Sequence, residues 1–178
     1  FARTAARTAD FLNRVAKLGL PMVGVDPATV LCYRDEYRQT LGDARGDFAV
    51  LLVHEWLQRA LAERDVQATG GESWYLFAHC TEVTALPSAP GQWQDIFARF
   101  GAKLENINVG CCGMAGTYGH ESKNLENSLG IYALSWHPQL QRLPRQRCLA
   151  TGYSCRSQVK RVEGNGMRHP LQALLALM

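Results

Sequence analysis

Two adjacent cysteines, Cys111 and Cys112, stand within the glycine-rich stretch NVGCCGMAGTYGHE. In an extended strand neighbouring side chains point to opposite faces, so adjacent thiols reach one common centre only where the chain bends. Gly113 and Gly116 supply the backbone freedom for such a bend and let the backbone approach a bulky inorganic ligand closely. The bend is also predicted to open a helix, whose N-terminal dipole would favour an anionic centre. We therefore predict a bend around a bound inorganic group, with both thiols as ligands.

Cys80 and Cys155 follow short apolar runs, and with the adjacent pair they make a set of four thiols. Thiolate ligands select iron–sulfur clusters or zinc over magnesium or calcium. Zinc sites usually take their cysteines from Cys-x-x-Cys pairs, and the sequence contains no such pair. The spread of the ligands over several strand ends, with one adjacent pair, favours an iron–sulfur cluster. Zinc as a substitute, and buried cysteines without any metal, stay open as alternatives.

The rest of the sequence alternates short apolar runs with amphipathic stretches. The runs PMVGV, WYLFAH, LENINVG and CLATG predict buried strands, at residues 21–25, 74–79, 104–110 and 148–152. Helices are predicted over residues 92–100 and 121–136, and over 47–62 after a strand-like start. The predicted buried face of the helix over 121–136 carries Leu125, Leu129, Tyr132, Ala133 and Trp136. This alternation predicts an α/β fold, with a mainly parallel sheet flanked by helices and functional residues at the carboxyl ends of strands.

Two segments repeat the same order of features. GVDPATVLCYRDEYR (24–38) and LATGYSCRSQVKR (149–161) both run from a strand through a small-residue turn to a cysteine and a charged helix. An apolar run that contains His54 or His169 follows each of them. This repetition indicates a duplicated unit, with residues 1–70 as the tail of a first copy and 71–178 as a complete second copy, packed together. The stretch 64–72 is the predicted linker, and the double-cysteine bend of the first copy is expected upstream of Phe1.

Composition and charge exclude several classes of function. The net charge is +3 and no basic block or interleaved aromatic stripe accompanies it, so we expect no nucleic acid partner. No apolar run reaches the roughly 18 residues that a membrane span needs, although association with a membrane surface stays open. No signal-peptide pattern accompanies the six cysteines, which favours a reducing compartment and a cytoplasmic location.

The cysteine pattern resembles the cysteine-rich CCG domain found in heterodisulfide reductases and in the glycolate oxidase iron–sulfur protein. Cys80, the Cys111–Cys112–Gly113 element and Cys155 carry this resemblance. The family usually has the motif twice in one chain, in agreement with the repetition described above. It often ends the motif with Cys-x-x-Cys, but Gly152 stands at the first of those positions. The fifth ligand of that family is therefore missing, and the resemblance implies one ordinary [4Fe–4S] cluster on the four remaining thiolates.

The resemblance gives different roles to the two remaining cysteines. Cys32 matches the final cysteine of the first repeat, so it is a weaker candidate ligand whose partners would lie outside this chain. Cys148 matches no ligand of the family and is interpreted as a buried strand residue.

The phrases GCCGMAGTYGHE, LATGYSCRSQVKR and RHPLQALL are closer still to the C-terminal region of large FAD-linked oxidases of the YdiJ type. Those oxidases act as D-2-hydroxy acid dehydrogenases. The resemblance implies an iron–sulfur domain that serves electron transfer or the substrate-side site. Its partners would be the flavin and ferredoxin-like domains of the same full-length chain, with FAD bound there. No flavin-binding segment is found in these residues, so we expect the chain alone to be inactive.

Two histidines are further candidates for the site. His79 adjoins Cys80 and could serve as a donor behind the ligands or as an alternative ligand. His120 lies beside the bend, where contact with substrate or cluster competes with a capping role. His54 and His169 are interpreted as structural. The rival function is a non-catalytic docking module with structural zinc or metal-free cysteines, and thiol–disulfide chemistry ranks last because a disulfide between neighbouring residues would be strained.

Overall fold

Every strand pairing in the described part of the chain is parallel. The computed structural model describes residues 1–64, 66 and 71–178. Its strands are β1 (Met22–Gly24), β2 (Val50–Leu52), β3 (Ser73–Phe77), β4 (Lys103–Asn106) and β5 (Cys148–Ala150). Its α-helices are α1 (Ala2–Ala16), α2 (Pro27–Arg34), α3 (Glu36–Leu41), α4 (Val53–Leu61), α5 (Cys80–Ala85), α6 (Ala89–Arg99), α7 (Leu125–Arg142), α8 (Tyr153–Glu163) and α9 (Pro170–Ala176).

The strands form two small sheets. β1 pairs with β2, and in the second sheet β3 lies between β4 and β5. Leu76 of β3 is aligned with Asn106 of β4 on one side and with Leu149 of β5 on the other. Parallel strands need a long crossover, and each crossover here contains at least one helix. The carboxyl ends of β3, β4 and β5 therefore lie at one edge of the second sheet.

Strand β3 separates two hydrophobic clusters because its successive side chains point to opposite faces. Trp74 and Leu76 belong to the cluster under α6, which includes the buried Trp93. Phe77 belongs to the cluster under α7, where its ring centroid lies 5.1 Å from that of Trp136. A third cluster joins α1, α2 and β2. The prediction that Trp136 lies on the buried face of its helix is confirmed, and Trp93 is a second fully buried tryptophan of the core.

Helix α7 buries a different face from the one that the apolar pattern predicts. Its buried residues are spaced four apart: Ser128, Tyr132, Trp136 and Leu140. Leu125, Leu129 and Ala133 are exposed, the two leucines by 40% and 37%, so the assignment of these three residues to the buried face is wrong. The physical reason is that polar Ser128 is buried through hydrogen bonds to the loop before the helix, which hydrophobic periodicity alone does not reveal.

The two halves of the chain repeat one order of elements. In the first half β1 leads into α2, and β2 then pairs with β1 and leads into α4. In the second half β5 leads into α8, and Arg168 then forms a parallel bridge with Leu149 just before α9. The predicted α/β class and parallel pairing are confirmed. The division at residues 70 and 71 stays a prediction, and the predicted linker lies partly outside the described residues.

The predicted strands and helices occur near their expected positions, with shifted ends. β4 ends at Asn106, so the stretch from residue 107 to the cysteine bend is irregular rather than strand. The stretch over 47–62 divides into β2 and α4, as its strand-like start indicates. None of the helices in the described ranges is long and apolar enough to pass through a membrane.

Candidate metal centre

One cavity, of about 460 Å3, lies where four segments of the chain meet. Each of these segments comes soon after a strand: residues 26–29 follow β1, 79–81 follow β3, 153–157 follow β5, and 111–116 follow β4 after the irregular residues 107–110. Three of the predicted thiols line it: Cys80, Cys111 and Cys112. The fourth, Cys155, is fully buried directly behind Cys112. The structure therefore brings the four cysteines of the predicted set to one place, at the carboxyl ends of parallel strands.

Cys112 and Cys155 form a hydrogen-bonded pair of thiols. The hydrogen bond from Cys155 lowers the pKa of Cys112 to about 7, although burial acts in the opposite direction. Backbone N–H groups of Met114 and Ala115 also donate to the Cys112 sulfur and lower this pKa further. The same hydrogen bond, together with burial, raises the pKa of Cys155 well above its usual value. The pair is thus arranged to carry a thiolate at Cys112.

Cys111 and Cys80 form the more accessible side of the set, since both are half-buried. Burial raises the pKa of Cys111, and the nearby Cys80 thiol acts in the same direction. The N–H group of Gly113 donates to the Cys111 sulfur at 3.3 Å and opposes that rise. Donors from the bend therefore reach both adjacent sulfurs.

The bend that carries the double cysteine depends on positive φ angles. Gly113 and Gly116 have φ of 83° and 64°, and Ala115 between them has φ of 40°. Such a run of turns directs successive N–H groups inward, as in the concave backbone sites that bind anions. The predicted bend at Gly113 and Gly116 is present in the structure, and Gly116 lines the cavity. The helix predicted to open at the bend begins only at Leu125, after two 3-10 turns.

Helix α7 holds the bend in place through three hydrogen bonds. The hydroxyl of Ser128 donates to the carbonyl oxygen of Gly113 at 2.7 Å, and both groups are buried. Trp136 donates through Nε1 to the carbonyl oxygen of Gly110 at 2.9 Å, and the N–H group of Gly110 donates to Ser135 Oγ at 3.1 Å. These anchors explain why α7 turns a polar residue toward the interior.

The N-termini of α2, α5 and α8 all lie at the cavity. Asp26 joins two of them, because Oδ2 accepts from the N–H group of Thr29 at 3.2 Å and Oδ1 accepts from the N–H group of Tyr153 at 2.9 Å. Helix N-termini carry partial positive charge and stabilise anions. Asp26 already offsets part of this charge at α2 and α8, so the donors that remain for an anionic thiolate-bound group come chiefly from the bend and from the N-terminus of α5. The Asp26–Pro27 pair is a helix-start signal that sequence reasoning could have used.

Gly152, where the resembled family has a cysteine, lies directly against His79. A Cβ atom built on Gly152 would lie 2.2 Å from His79 Cδ2 and 3.1 Å from Cys155 Sγ. The imidazole ring therefore fills the space that a side chain at residue 152 would need. His79 itself is buried, and burial lowers its pKa.

The other sequence candidates occupy different positions. His120 lines the cavity, and its Nδ1 atom lies 3.3 Å from a guanidinium nitrogen of Arg161. Cys32 packs against the third hydrophobic cluster and is not among the residues that line the cavity. Burial raises the pKa of Cys32, with a further contribution from Glu36. Ala28 and Thr29, at the start of α2, are the residues of that helix that line the cavity.

A buried polar network behind the cavity was not predicted from the sequence. Thr151 donates to Oε2 of the fully buried Glu82 at 2.5 Å and accepts from the N–H group of His79 at 2.9 Å. His54 Nδ1 lies 3.4 Å from Glu82 Oε1. Burial lowers the pKa of His54 to about 4 and raises that of Glu82, so both groups favour their neutral forms. Glu82 thereby connects the first half of the chain to the start of α5.

His169 is also buried. Its lowered pKa predicts that the free energy of unfolding depends on pH. Burial lowers its pKa to about 3, and the positive charge of Arg156 adds to this. Between about pH 6.5 and this value the unfolded chain binds a proton that the folded chain excludes, so stability falls as the pH falls. Replacing His169 by Asn, which can also cap α9, should flatten this dependence by about 1.4 kcal/mol per pH unit.

Urea unfolding between about pH 4 and pH 6 measures this effect. His54 acts in the same direction and Glu82 in the opposite one, so the comparison is made between His169→Asn and the wild type rather than on absolute slopes. Equal slopes in the two proteins would show that His169 is protonated in the folded state.

The donor set fits the implied cluster by its chemistry. The cavity offers thiol sulfur from four cysteines, N–H donors from the bend and the positive end of α5, which together suit an anionic iron–sulfur group. Within residues 1–64, 66 and 71–178, no group of three or more His, Cys, Asp or Glu side chains is arranged to hold a single metal ion.

These features define a class: a cysteine-rich α/β domain whose thiols converge at the carboxyl ends of parallel strands. No protein family model matches the chain. Over its full length it is similar to D-2-hydroxyglutarate dehydrogenases: 86% identical over 178 residues to that of Pantoea ananatis and 74% identical over 178 residues to that of Escherichia coli K12. The protein of that name from Haemophilus influenzae is 53% identical over 186 residues. The chain spans only 17% to 18% of the length of these relatives.

Proposed function

We propose that this chain is the iron–sulfur region of a FAD-dependent D-2-hydroxy acid dehydrogenase, and that Cys80, Cys111, Cys112 and Cys155 hold a [4Fe–4S] cluster. The observation that carries the proposal is the convergence of these four thiols at one cavity, from segments that follow three different strands. The similarity to proteins named D-2-hydroxyglutarate dehydrogenase supports oxidoreductase chemistry and suggests 2-hydroxyglutarate as the substrate of the whole protein.

When bound, a [4Fe–4S] cluster accepts and passes on single electrons. The residues of this chain would determine how easily it does so. The bend places N–H donors at Cys111 and Cys112, and such donors stabilise negative charge on sulfur. The N-terminus of α5 acts in the same direction, whereas those of α2 and α8 are already capped by the Asp26 carboxylate. Burial of Cys112 and Cys155 excludes water from one side of the site, while the half-buried Cys80 and Cys111 leave the other side accessible.

The flavin chemistry is assigned to the rest of the longer protein. FAD bound there would take the hydride from the hydroxy acid, and ferredoxin-like clusters would relay electrons between the flavin and this region. The whole protein would then couple a two-electron oxidation to one-electron steps through this cavity. The alternative, a docking module with structural zinc or metal-free cysteines, uses the same residues without electron transfer.

Metal analysis of anaerobically purified protein tests the proposal. We expect about four iron and four acid-labile sulfide per chain, as one [4Fe–4S] cluster requires. Zinc in stoichiometric amount, with no sulfide, would support the docking alternative. Protein that folds but takes up no iron on reconstitution with iron and sulfide would contradict the cluster, and protein that also takes up no zinc when zinc is added would contradict the zinc site.

A further inference from the structure

His79 is held in one orientation by contacts on both sides of its ring. It is the N-cap residue of α5, and its Nδ1 atom accepts a hydrogen bond from the N–H group of Thr81 at 3.3 Å. The Cδ2 edge of the ring lies over Gly152, in the space that a Cβ atom would fill. The ring therefore has little freedom to rotate, and its second nitrogen faces a fixed direction.

The capping hydrogen bond determines which nitrogen of His79 carries the proton. A backbone N–H group can donate only to a ring nitrogen with a free lone pair, so Nδ1 is unprotonated. In the neutral ring the proton then lies on Nε2. The Nε2 atom lies 3.4 Å from Ser154 Oγ, at the edge of the cavity. Because its only described partner is at this long distance, Nε2 remains available as an N–H donor.

The contacts of Gly152 indicate where the Nε2–H group of His79 lies relative to the cysteines. Nε2 is bonded to Cδ2, and both Cδ2 and the Cys155 sulfur lie close to the point where the Gly152 Cβ would be. The ring edge that carries Nε2 therefore lies near the Cys155 sulfur, and the backbone of His79 continues directly into Cys80.

We propose that His79 is a positioning residue that donates a hydrogen bond from Nε2 to the sulfur atoms of a centre bound at Cys80 and Cys155. It would act as a donor and not as a metal ligand, because coordination requires the lone pair that the proton occupies. This inference rests on the proposed iron–sulfur function. It also gives Gly152 a role, since any larger residue there would displace the ring.

Three variants of the anaerobically reconstituted protein distinguish the role of His79 as a hydrogen-bond donor from its role as the N-cap of α5. His79→Asn keeps a capping oxygen for α5 but has no group that reaches the Nε2 position. His79→Gln offers an N–H group near that position. His169→Asn is the matched control, because His169 caps α9 through Nδ1 in the same way but lies outside the cavity lining.

A hydrogen bond to sulfur stabilises the more negative, reduced state of a cluster, so losing it makes reduction harder. We expect His79→Asn to shift the reduced-to-oxidised ratio about tenfold at a fixed potential, which is about 59 mV for one electron. His79→Gln should fall between this variant and the wild type, and His169→Asn should match the wild type. The midpoint potential is measured by redox titration monitored by electron paramagnetic resonance.

Four results decide between these roles. A wild-type midpoint potential in His79→Asn would overturn the donor role while leaving the cluster in place. Strong coupling of a nitrogen nucleus to the reduced cluster would show that His79 is a ligand, and would also overturn it. If His79→Asn fails to assemble a cluster, Gly152→Ala displaces the ring instead, and an unchanged potential in that variant contradicts the proposal. A wild-type protein without iron and sulfide overturns the proposed function and this inference with it.

Discussion

Serine in place of any one of the four clustered cysteines is expected to leave less than about a tenth of the wild-type iron in the reconstituted protein, because a cluster site assembles cooperatively. The four residues are Cys80, Cys111, Cys112 and Cys155. Their sulfurs interact directly or through a shared neighbour, so none of them is independent of the others. Iron and sulfide content, together with the visible absorption of thiolate-bound iron, measures the loss.

Two other cysteines provide matched controls for this experiment. Cys148 is buried, donates weakly to the carbonyl oxygen of Pro144 at 3.6 Å, and has its pKa raised to about 11 by burial. Cys148→Ser should therefore retain the full iron content. Cys32→Ser should also retain it, because Cys32 packs in a separate cluster away from the cavity lining. Full iron content in both Cys111→Ser and Cys112→Ser would show that the adjacent thiols are not ligands.

Gly113→Ala is expected to destabilise the fold by about 3 kcal/mol or more, because two separate costs add. Gly113 has φ of 83°, a conformation that residues with a side chain rarely adopt. A Cβ atom there would also lie 2.1 Å from the carbonyl oxygen of Ser128 and 3.0 Å from its carbonyl carbon. Ser128 cannot move easily, since it donates to Gly113 and accepts from Gln158 within a fully buried network.

Gly130→Ala is the matched control within the same region. Gly130 lies inside α7, and a Cβ atom built on it would meet nothing within 4 Å. Alanine there should increase the free energy of unfolding by about 0.5–1 kcal/mol, since glycine is a poor helix former. Urea unfolding of both variants gives the two values. A Gly113→Ala protein as stable as the wild type would mean that the bend is free to rearrange.

The strand ends were predictable from the sequence because each is marked by a short apolar run followed by small or polar residues. For the same reason the four cysteines could be assigned to one edge of the sheet before their contacts were known. The adjacent cysteines can reach one centre only at a bend, which Gly113 and Gly116 permit, and the structure has a bend at that place. Features that depend on local pattern are therefore recoverable from the sequence.

The remaining features depend on partners that are distant in the sequence. Ser128 has the pattern of a surface residue of α7, and its burial is explained by the Gly113 carbonyl 15 positions earlier and by Gln158 30 positions later. Glu82 likewise has the pattern of an exposed residue, but it is buried because Thr151 and His54 reach it from β5 and α4. Cys32 is a candidate ligand because it occupies the cysteine position of a repeated order of features. Which residues of α2 face the cavity depends instead on the rotation of that helix, which the repeat does not specify. Periodicity carries no information about such pairings.

The hydrogen bond from Tyr153 to Asp26 has a consequence for the order of folding. It joins residues 127 positions apart, and the parallel pairing of β5 with β3 joins residues more than 70 positions apart. Contacts of such long range form late, because the intervening chain must close first. During synthesis the segment around Cys155 leaves the ribosome after every other wall of the cavity has been made. Cys80, Cys111 and Cys112 therefore lack the fourth thiol until β5 pairs with β3. We expect cluster insertion to follow folding of the sheet rather than to initiate it.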